Sequence, residues 1–496
     1  MDKKLYRENS GDFNFVMAYP AIESFALASL GYLWLYKIAD TKEGINALRI
    51  STDNLEQAKN IDAMAFSMSF DFDFIGVFEI IEKLHIPFFA KERSADMPLI
   101  FAGGPVITTN PRPYEAFFDF MMIGDGEGSF EQVLDIIKDN TKEDALKLLE
   151  NVEGIYIPNK KVKKHTTKFE NVIYTPILSD KSYFKDTFII EVARGCMNRC
   201  AFCTASYLNL PFRYYEYEKI IEAIELGLKY TNKIALLGAQ ISAHPDFDKI
   251  MLYLRNRMEA GENIELGISS LRTDSVTPDM VKTLVLGGQR HSTIAIEAAS
   301  ERLRRFINKN LNEEQILNAV KVARENGLKG LKIYSMIGIP NETKEDIDEF
   351  LRLAKTIKNE NKGFNIEFSF SSFVPKPQTP FQWAPREDTK SLEKKQNYLE
   401  KELRKIGVGV KFGSIKWDYW QAVLSRADEH FAQFLVEVYK KGGKIGAYKS
   451  SIKEFDIDLR TQGFDFSEVL SWDIIENYPP KQLLINEYNR LIQRLS

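Results

Sequence analysis

Cys196-Met197-Asn198-Arg199-Cys200-Ala201-Phe202-Cys203 holds all three cysteines of the chain within eight residues, spaced C-x3-C-x2-C. Thiolates are the ligands that iron–sulfur clusters ordinarily use. Three of them leave one iron of a four-iron cluster without a protein ligand, and an open position separates a reactive metal site from a closed structural one. The alternatives are a zinc knot, or thiols brought together by chance. A zinc knot needs a fourth ligand nearby, and no His lies between His165 and His244. Three cysteines form no disulfide framework, so a reducing cytoplasm suits them.

Working outward, Thr187 to Ala193 is a strand that delivers this loop. Strand patterns recur at 233–237, 264–268, 292–297, 330–337 and 365–370, with helical periodicity at 217–230, 247–258, 278–286, 313–326 and 344–357. Six strand–helix repeats predict an open (βα)6 partial TIM barrel over residues 181–385, with its chemistry at the carboxyl ends of the strands.

The cysteine spacing, with Phe202 just before the third cysteine, resembles the radical SAM superfamily. The resemblance implies a [4Fe-4S] cluster on Cys196, Cys200 and Cys203 whose open iron chelates S-adenosylmethionine (SAM). One electron then yields methionine and a 5′-deoxyadenosyl radical, so an electron donor such as flavodoxin or ferredoxin is implied. Leu237-Gly238-Ala239-Gln240 stands where the family has a Gly-Gly-Glu-like turn meeting the methionine amino group; Ala239 replaces the second Gly and Gln240 the acid. Arg272 is placed to meet the methionine carboxylate, or else a local Asp. Glu297-Ala298-Ala299-Ser300-Glu301-Arg302-Leu303 resembles the family's Glu-Ala-Gly-Ser-Glu-Arg-Leu, which assigns Glu297 to the ribose hydroxyls and Ser300 to a helix cap, with a ligand role second. Ile337-Gly338-Ile339-Pro340-Asn341-Glu342-Thr343 looks like the turn whose apolar step packs on adenine, which places Ile337 there.

Residues 1–150 alternate strands (13–20, 61–68, 98–105, 117–123) with helices (26–38, 74–84, 129–138), the pattern of a doubly wound, Rossmann-like sheet. Its Ala102-Gly103-Gly104-Pro105 and Ile123-Gly124-Asp125-Gly126-Glu127 turns resemble the cobalamin-binding-type domain that precedes many radical SAM domains. The Asp-x-His-x-x-Gly motif that supplies a cobalt ligand is absent, and His85 reads as a surface residue. Cobalamin binding without a His ligand and a remnant that grips substrate or partner both remain open. The bulky Met64 to Phe70 run lines a corrin or fills a sheet–helix core, and the second is the commoner use. Strand ends that help enclose the barrel mouth, without tight cobalamin, are therefore expected.

Residues 151–180 read as a linker of short strands whose lysines, 160 to 164, are solvated. Residues 386–496 read as a small, mostly helical cap. The Pro-rich run Phe373 to Trp383 hangs over the barrel mouth; with Ser425-Arg426-Ala427-Asp428 it resembles a poorly characterised radical SAM subfamily.

A formal net charge of -4 without a basic arm gives no electrostatic footprint for nucleic acid. No apolar run is long enough to span a membrane, and no signal core follows Met1. The expected function is hydrogen abstraction from a substrate the sequence does not identify; the alternatives are cobalamin-dependent methyl transfer and a non-catalytic cluster-containing module. Methylthiotransferases need a second cluster on three further cysteines, and none remain.

Overall fold

The computed structural model describes residues 2–55, 58–476 and 479–495. Its first sheet runs in the order Ile45–Ser51, Phe13–Tyr19, Ala63–Ser67, Leu99–Gly103, Phe120–Met122, Ile155–Tyr156. The first five strands are parallel and the last is antiparallel. Strands buried on both faces lose the polar half of their alternation. Phe15 and Met17 therefore face one core, under Leu30–Asp40 and Phe130–Asp139, while Val16 and Ala18 face another, under Phe74–Lys83. The edge strand Ile45–Ser51 was not expected from the sequence, because Asn46 and Arg49 interrupt its apolar pattern.

The second core closes with residues from the far end of the chain. Trp420, Phe434 and Tyr448, on Ile415–Ser425, Ala432–Lys440 and Ile445–Ser451, pack with Phe66, Phe74 and Phe78. The helical C-terminal region is thus a layer of the first domain as much as a cap. Arg426 is fully buried there and donates to the carbonyls of Ala384 (3.1 Å) and Arg460 (2.7 Å); burial without a carboxylate pulls its pKa down to about 9.

The barrel consists of parallel strands Phe188–Glu191, Lys233–Leu237 and Glu265–Ile268, then His291–Glu297, Gly330–Ile337, Asn365–Ser372 and Gly409–Phe412. One parallel bridge, Leu271 to Ile294, joins the two sets. The six expected strands and their helices are present, with two additions. Thr389–Ile406 is the sixth barrel helix, packed on Lys344–Glu360, and Gly409–Phe412 is a seventh strand. The barrel sheet therefore continues past residue 385. The segment read as a linker is stitched to the chain ends: Ile177–Leu178 pairs with Lys3–Lys4, and Val162–Lys163 with Ile475–Glu476. Lys164 is buried rather than solvated, its ammonium capped by the Leu208 carbonyl. No helix among the described residues is long and apolar enough to cross a membrane.

Candidate functional site

The cysteine loop leaves the first barrel strand at the rim where the strands end. Its base is closed by the antiparallel pair Ala193–Arg194 and Arg213–Tyr214. Gly195 adopts φ +88°, and a Cβ there would lie 2.5 Å from the Asn209 carbonyl oxygen. The loop's other supports come from across the rim. Asn308 donates to the carbonyls of Asn198 (3.3 Å) and Arg199 (2.9 Å), and Ala201 N to Ile307 O (2.9 Å). Phe381, on the Pro-rich loop, donates its N–H to the Ala201 carbonyl (3.1 Å) and packs with Phe306 and Phe373. The Pro-rich loop thus lies against the cysteine loop.

Cys200 is buried, and burial pushes its thiol up to about 12 against the opposing pull of the Lys309 ammonium. Burial raises Cys203 as well, while Ser206 opposes it. Such thiols lose their protons only to a cationic partner or a metal. Cys196 Sγ lies 3.3 Å from Gln240 Oε1 and 3.4 Å from Asn198 Nδ2. Asn198 also donates to Gln240, so the residue in the acid's place reaches the cysteine loop itself. An amide can present its oxygen or its NH2 to a sulfur, so this pairing suits a thiol and a thiolate alike. Among the described residues no group of three or more His, Cys, Asp and Glu side chains is arranged to hold a metal ion. A four-iron cluster distributes its thiolates over separate irons, so its loop need not bring three sulfurs to one point.

Gly238 is needed for close approach: a Cβ would meet the Ala193 carbonyl at 2.9 Å. Ala239 has no left-handed backbone, so Ala fits without strain. Arg272 is paired with Asp274 at 2.7 Å and lies 3.4 Å from the Lys309 carbonyl. Glu297 sits at a bulge of its strand with φ +65°, a strained conformation for this residue type, and accepts from Lys309 Nζ at 3.0 Å. Burial draws the Lys309 pKa down, but Glu297 and Cys200 more than offset this and hold it above the ordinary lysine value. Lys309 escaped the sequence reading because Asn308-Lys309-Asn310 looks like a solvated turn. Ser300 caps Glu301–Phe306 through Leu303 N and donates to Asp346 at 2.6 Å. Ile337 requires a correction. Strand alternation turns it outward into the helical layer with Ile333 and Phe350, and Met336 occupies the cluster beside Ala201.

A cavity of about 520 Å³ lies between the carboxyl ends of the first domain's strands and this rim. Ser67, Gly104 and the Gly124–Glu127 turn line it on one side, Arg194, Gly195 and Gly238 on the other. Of the Met64–Phe70 run, Ala65, Phe66, Ser67 and Ser69 reach it, while Met64 and Met68 point into the opposite core. His165 also lines it, but its Nε2 meets the Thr167 hydroxyl at 3.2 Å and its Nδ1 faces Glu153 at 3.6 Å. His85 is exposed, after its helix.

Residues 190–354 match the family model described as Radical SAM superfamily, and 34–158 that of Radical SAM proteins, N-terminal. An uncharacterized protein of Methanocaldococcus jannaschii is 32% identical over 407 residues, covering 81% of this chain and 85% of that one. An uncharacterized methyltransferase of Pyrococcus horikoshii is 27% identical over 287 residues, 54% of this chain and 60% of that one. Among solved structures, the cobalamin-dependent SAM radical enzyme OxsB, with aqua-cobalamin and SAM bound, superposes with TM-score 0.57 at 14% identity, over 97% of this chain and 79% of that one. The radical SAM methyltransferase TsrM of Kitasatospora setae gives 0.50 at 12%, over 72% and 73%. The chain belongs to the radical SAM superfamily, and its fold, first domain included, is that of the solved cobalamin-dependent enzymes it superposes on. It is an enzyme of a family that uses a [4Fe-4S] cluster and SAM.

Proposed function

We propose that Cys196, Cys200 and Cys203 hold the cluster and that the rim around them binds SAM for hydrogen abstraction from a carbon of the substrate. One observation carries this reading: three thiols, a strained Glu297 with its buried Lys309 partner, and the Gly238–Gln240 turn gather around one loop at the carboxyl ends of the barrel strands. Held by Cys196, Cys200 and Cys203, a [4Fe-4S] cluster would supply the electron for reductive cleavage of SAM, the source of the hydrogen-abstracting radical. The protein's part is to bind, orient and shield. Glu297 accepts the ribose hydroxyls, Gly238 lets backbone approach the methionine end, and Gln240 bridges that turn to Cys196. Lys309 holds the Glu297 carboxylate in place and offsets thiolate charge. Arg272 serves the methionine carboxylate only by sharing or leaving Asp274. Anaerobic protein reconstituted with iron and sulfide, then given dithionite and SAM, releases methionine and 5′-deoxyadenosine on this account. Intact SAM at a fully loaded cluster would overturn it.

The cavity favours a second reading, cobalamin-dependent methyl transfer. It opens on the cysteine loop, and about 520 Å³ lies within the usual range for cofactor sites. Its lining of Ala65, Phe66, Ser67 and Gly104 suits a corrin held by packing, with His165 Nε2 engaged by the Thr167 hydroxyl.

A further inference from the structure

Arg194 and Arg213 are register partners on the two short strands that close the cysteine loop. Like charges directly opposite one another on paired strands repel. Here both guanidiniums bind one carboxylate of the first domain, Arg194 while also held by Glu191 at the end of the barrel strand. Arg194 Nη1 donates to Asp125 Oδ1 at 2.8 Å, and Arg213 Nη1 to Asp125 Oδ2 at 2.5 Å. Arg194 also donates to Glu127 (2.6 Å) and, through Nε and Nη2, to both oxygens of Glu191 (2.9 and 2.7 Å). Asp125 Oδ2 accepts Thr167 N at 3.0 Å, and Arg213 reaches the Thr167 carbonyl at 2.6 Å. The Phe169 ring lies about as far from one guanidinium carbon (5.2 Å) as from the other (5.1 Å). None of these five charged side chains is more than 16% exposed.

We propose that Asp125, supported by Glu127, is a positioning residue for the cluster: it staples the stem of loop 195–212 by neutralising the two arginines that close it. The Gly-Asp-Gly-Glu turn is then a tie from the first domain to the cluster loop, whether or not a ligand fills the cavity it borders. This rests on the cysteines being cluster ligands only for its consequence; the staple itself is a property of the bare chain. A desolvated guanidinium without its carboxylate is strongly destabilising; without Asp125, Arg194 keeps Glu191 and Glu127, while Arg213 on the same rung loses its carboxylate and the stem its tie to the first domain through that strand.

The test uses the full chain with Asp125→Asn, Arg213→Gln and the double variant. Hydrogen exchange over residues 195–212 in cluster-free protein reads the staple directly, and iron release to a chelator from reconstituted protein reads its consequence. Asp125→Asn is expected to speed both by ~10-fold or more. The double variant should exchange and release iron more slowly than Asp125→Asn, because it removes the guanidinium that Asp125→Asn leaves without a carboxylate. Equal exchange in Asp125→Asn and the parent, or a double variant worse than either single one, would overturn the proposal. If the parent takes up no iron while the exchange pattern appears as described, the staple stands and the cysteine assignment fails. A poorly folding Asp125→Asn whose folding the double variant restores supports the staple; failure to restore it counts against it.

Discussion

Glu297 is the residue where backbone and chemistry coincide. Its left-handed φ costs about 1–3 kcal/mol, and the strain places a carboxylate on the rim with a single buried cation behind it. Glu297→Gln should weaken SAM binding by about tenfold or more while leaving iron content intact, since a hydrogen bond to a charged group contributes about 1.5–3 kcal/mol. Equilibrium binding to the loaded enzyme measures this, and unchanged affinity would leave Glu297 only as the counter-ion of Lys309. Lys164 offers a test through pH. Burial pulls its pKa from 10.5 down to about 8. Between those values the unfolded chain holds the proton and the folded chain does not, so stability rises with pH across that window; below it the penalty of a buried charge is fully present. Lys164→Met should therefore gain on the parent at pH 7, and the gap should close by up to ~3 kcal/mol on going to pH 10.5. Denaturant midpoints at both pH values check it; a constant gap would contradict it. Neither Lys164 nor Lys309 was legible in the sequence. Both sit among polar neighbours, and only tertiary packing buries them.

At the scale of elements, the cysteine loop depends on Gly195 for two separable reasons. Its φ of +88° disfavours any side chain, and a Cβ would press on the Asn209 carbonyl. Gly261, at φ +97° with nothing within 4 Å of its Cβ position, carries the first reason alone. Gly195→Ala should thus cost more stability than Gly261→Ala, whose penalty is about 1 kcal/mol, and should alone reduce the iron bound. Thermal unfolding and iron analysis of the two variants test this, and equal effects would show that the contact is unimportant. The same contrast explains what the sequence revealed. The six barrel strands were readable because apolar runs of the right length are punctuated by Gly, Pro and Asn. Ile45–Ser51 and Gly409–Phe412 were missed because edge strands carry polar residues, and short ones lose their period. Ile337 was misplaced because a turn motif fixes position along the chain, while strand alternation decides which face a side chain takes.

For the whole molecule, the sequence led to a sheet domain, a barrel and a cap in succession, whereas the chain returns from its far end to complete the first domain's core. Such closure leaves no periodic trace in the sequence. Nor does the Asp125–Arg194–Arg213 tie, which depends on two domains meeting. The cavity where they meet separates the two readings of function. Hydroxocobalamin titrated into anaerobic protein should leave its visible spectrum unchanged if the first domain serves to enclose the barrel mouth. Saturable micromolar binding, weakened by a bulky Ser67→Trp in the cavity wall, would make methyl transfer the leading function. The central claim is that Cys196, Cys200 and Cys203 hold a SAM-binding cluster, and its most direct measurement is iron content with electron paramagnetic resonance of the reduced, reconstituted protein. The account predicts about four irons per chain and a signal that changes on adding SAM, both lost on replacing any one of the three cysteines with Ala. Stoichiometric zinc in protein purified without oxygen, with no cluster obtainable, would contradict it.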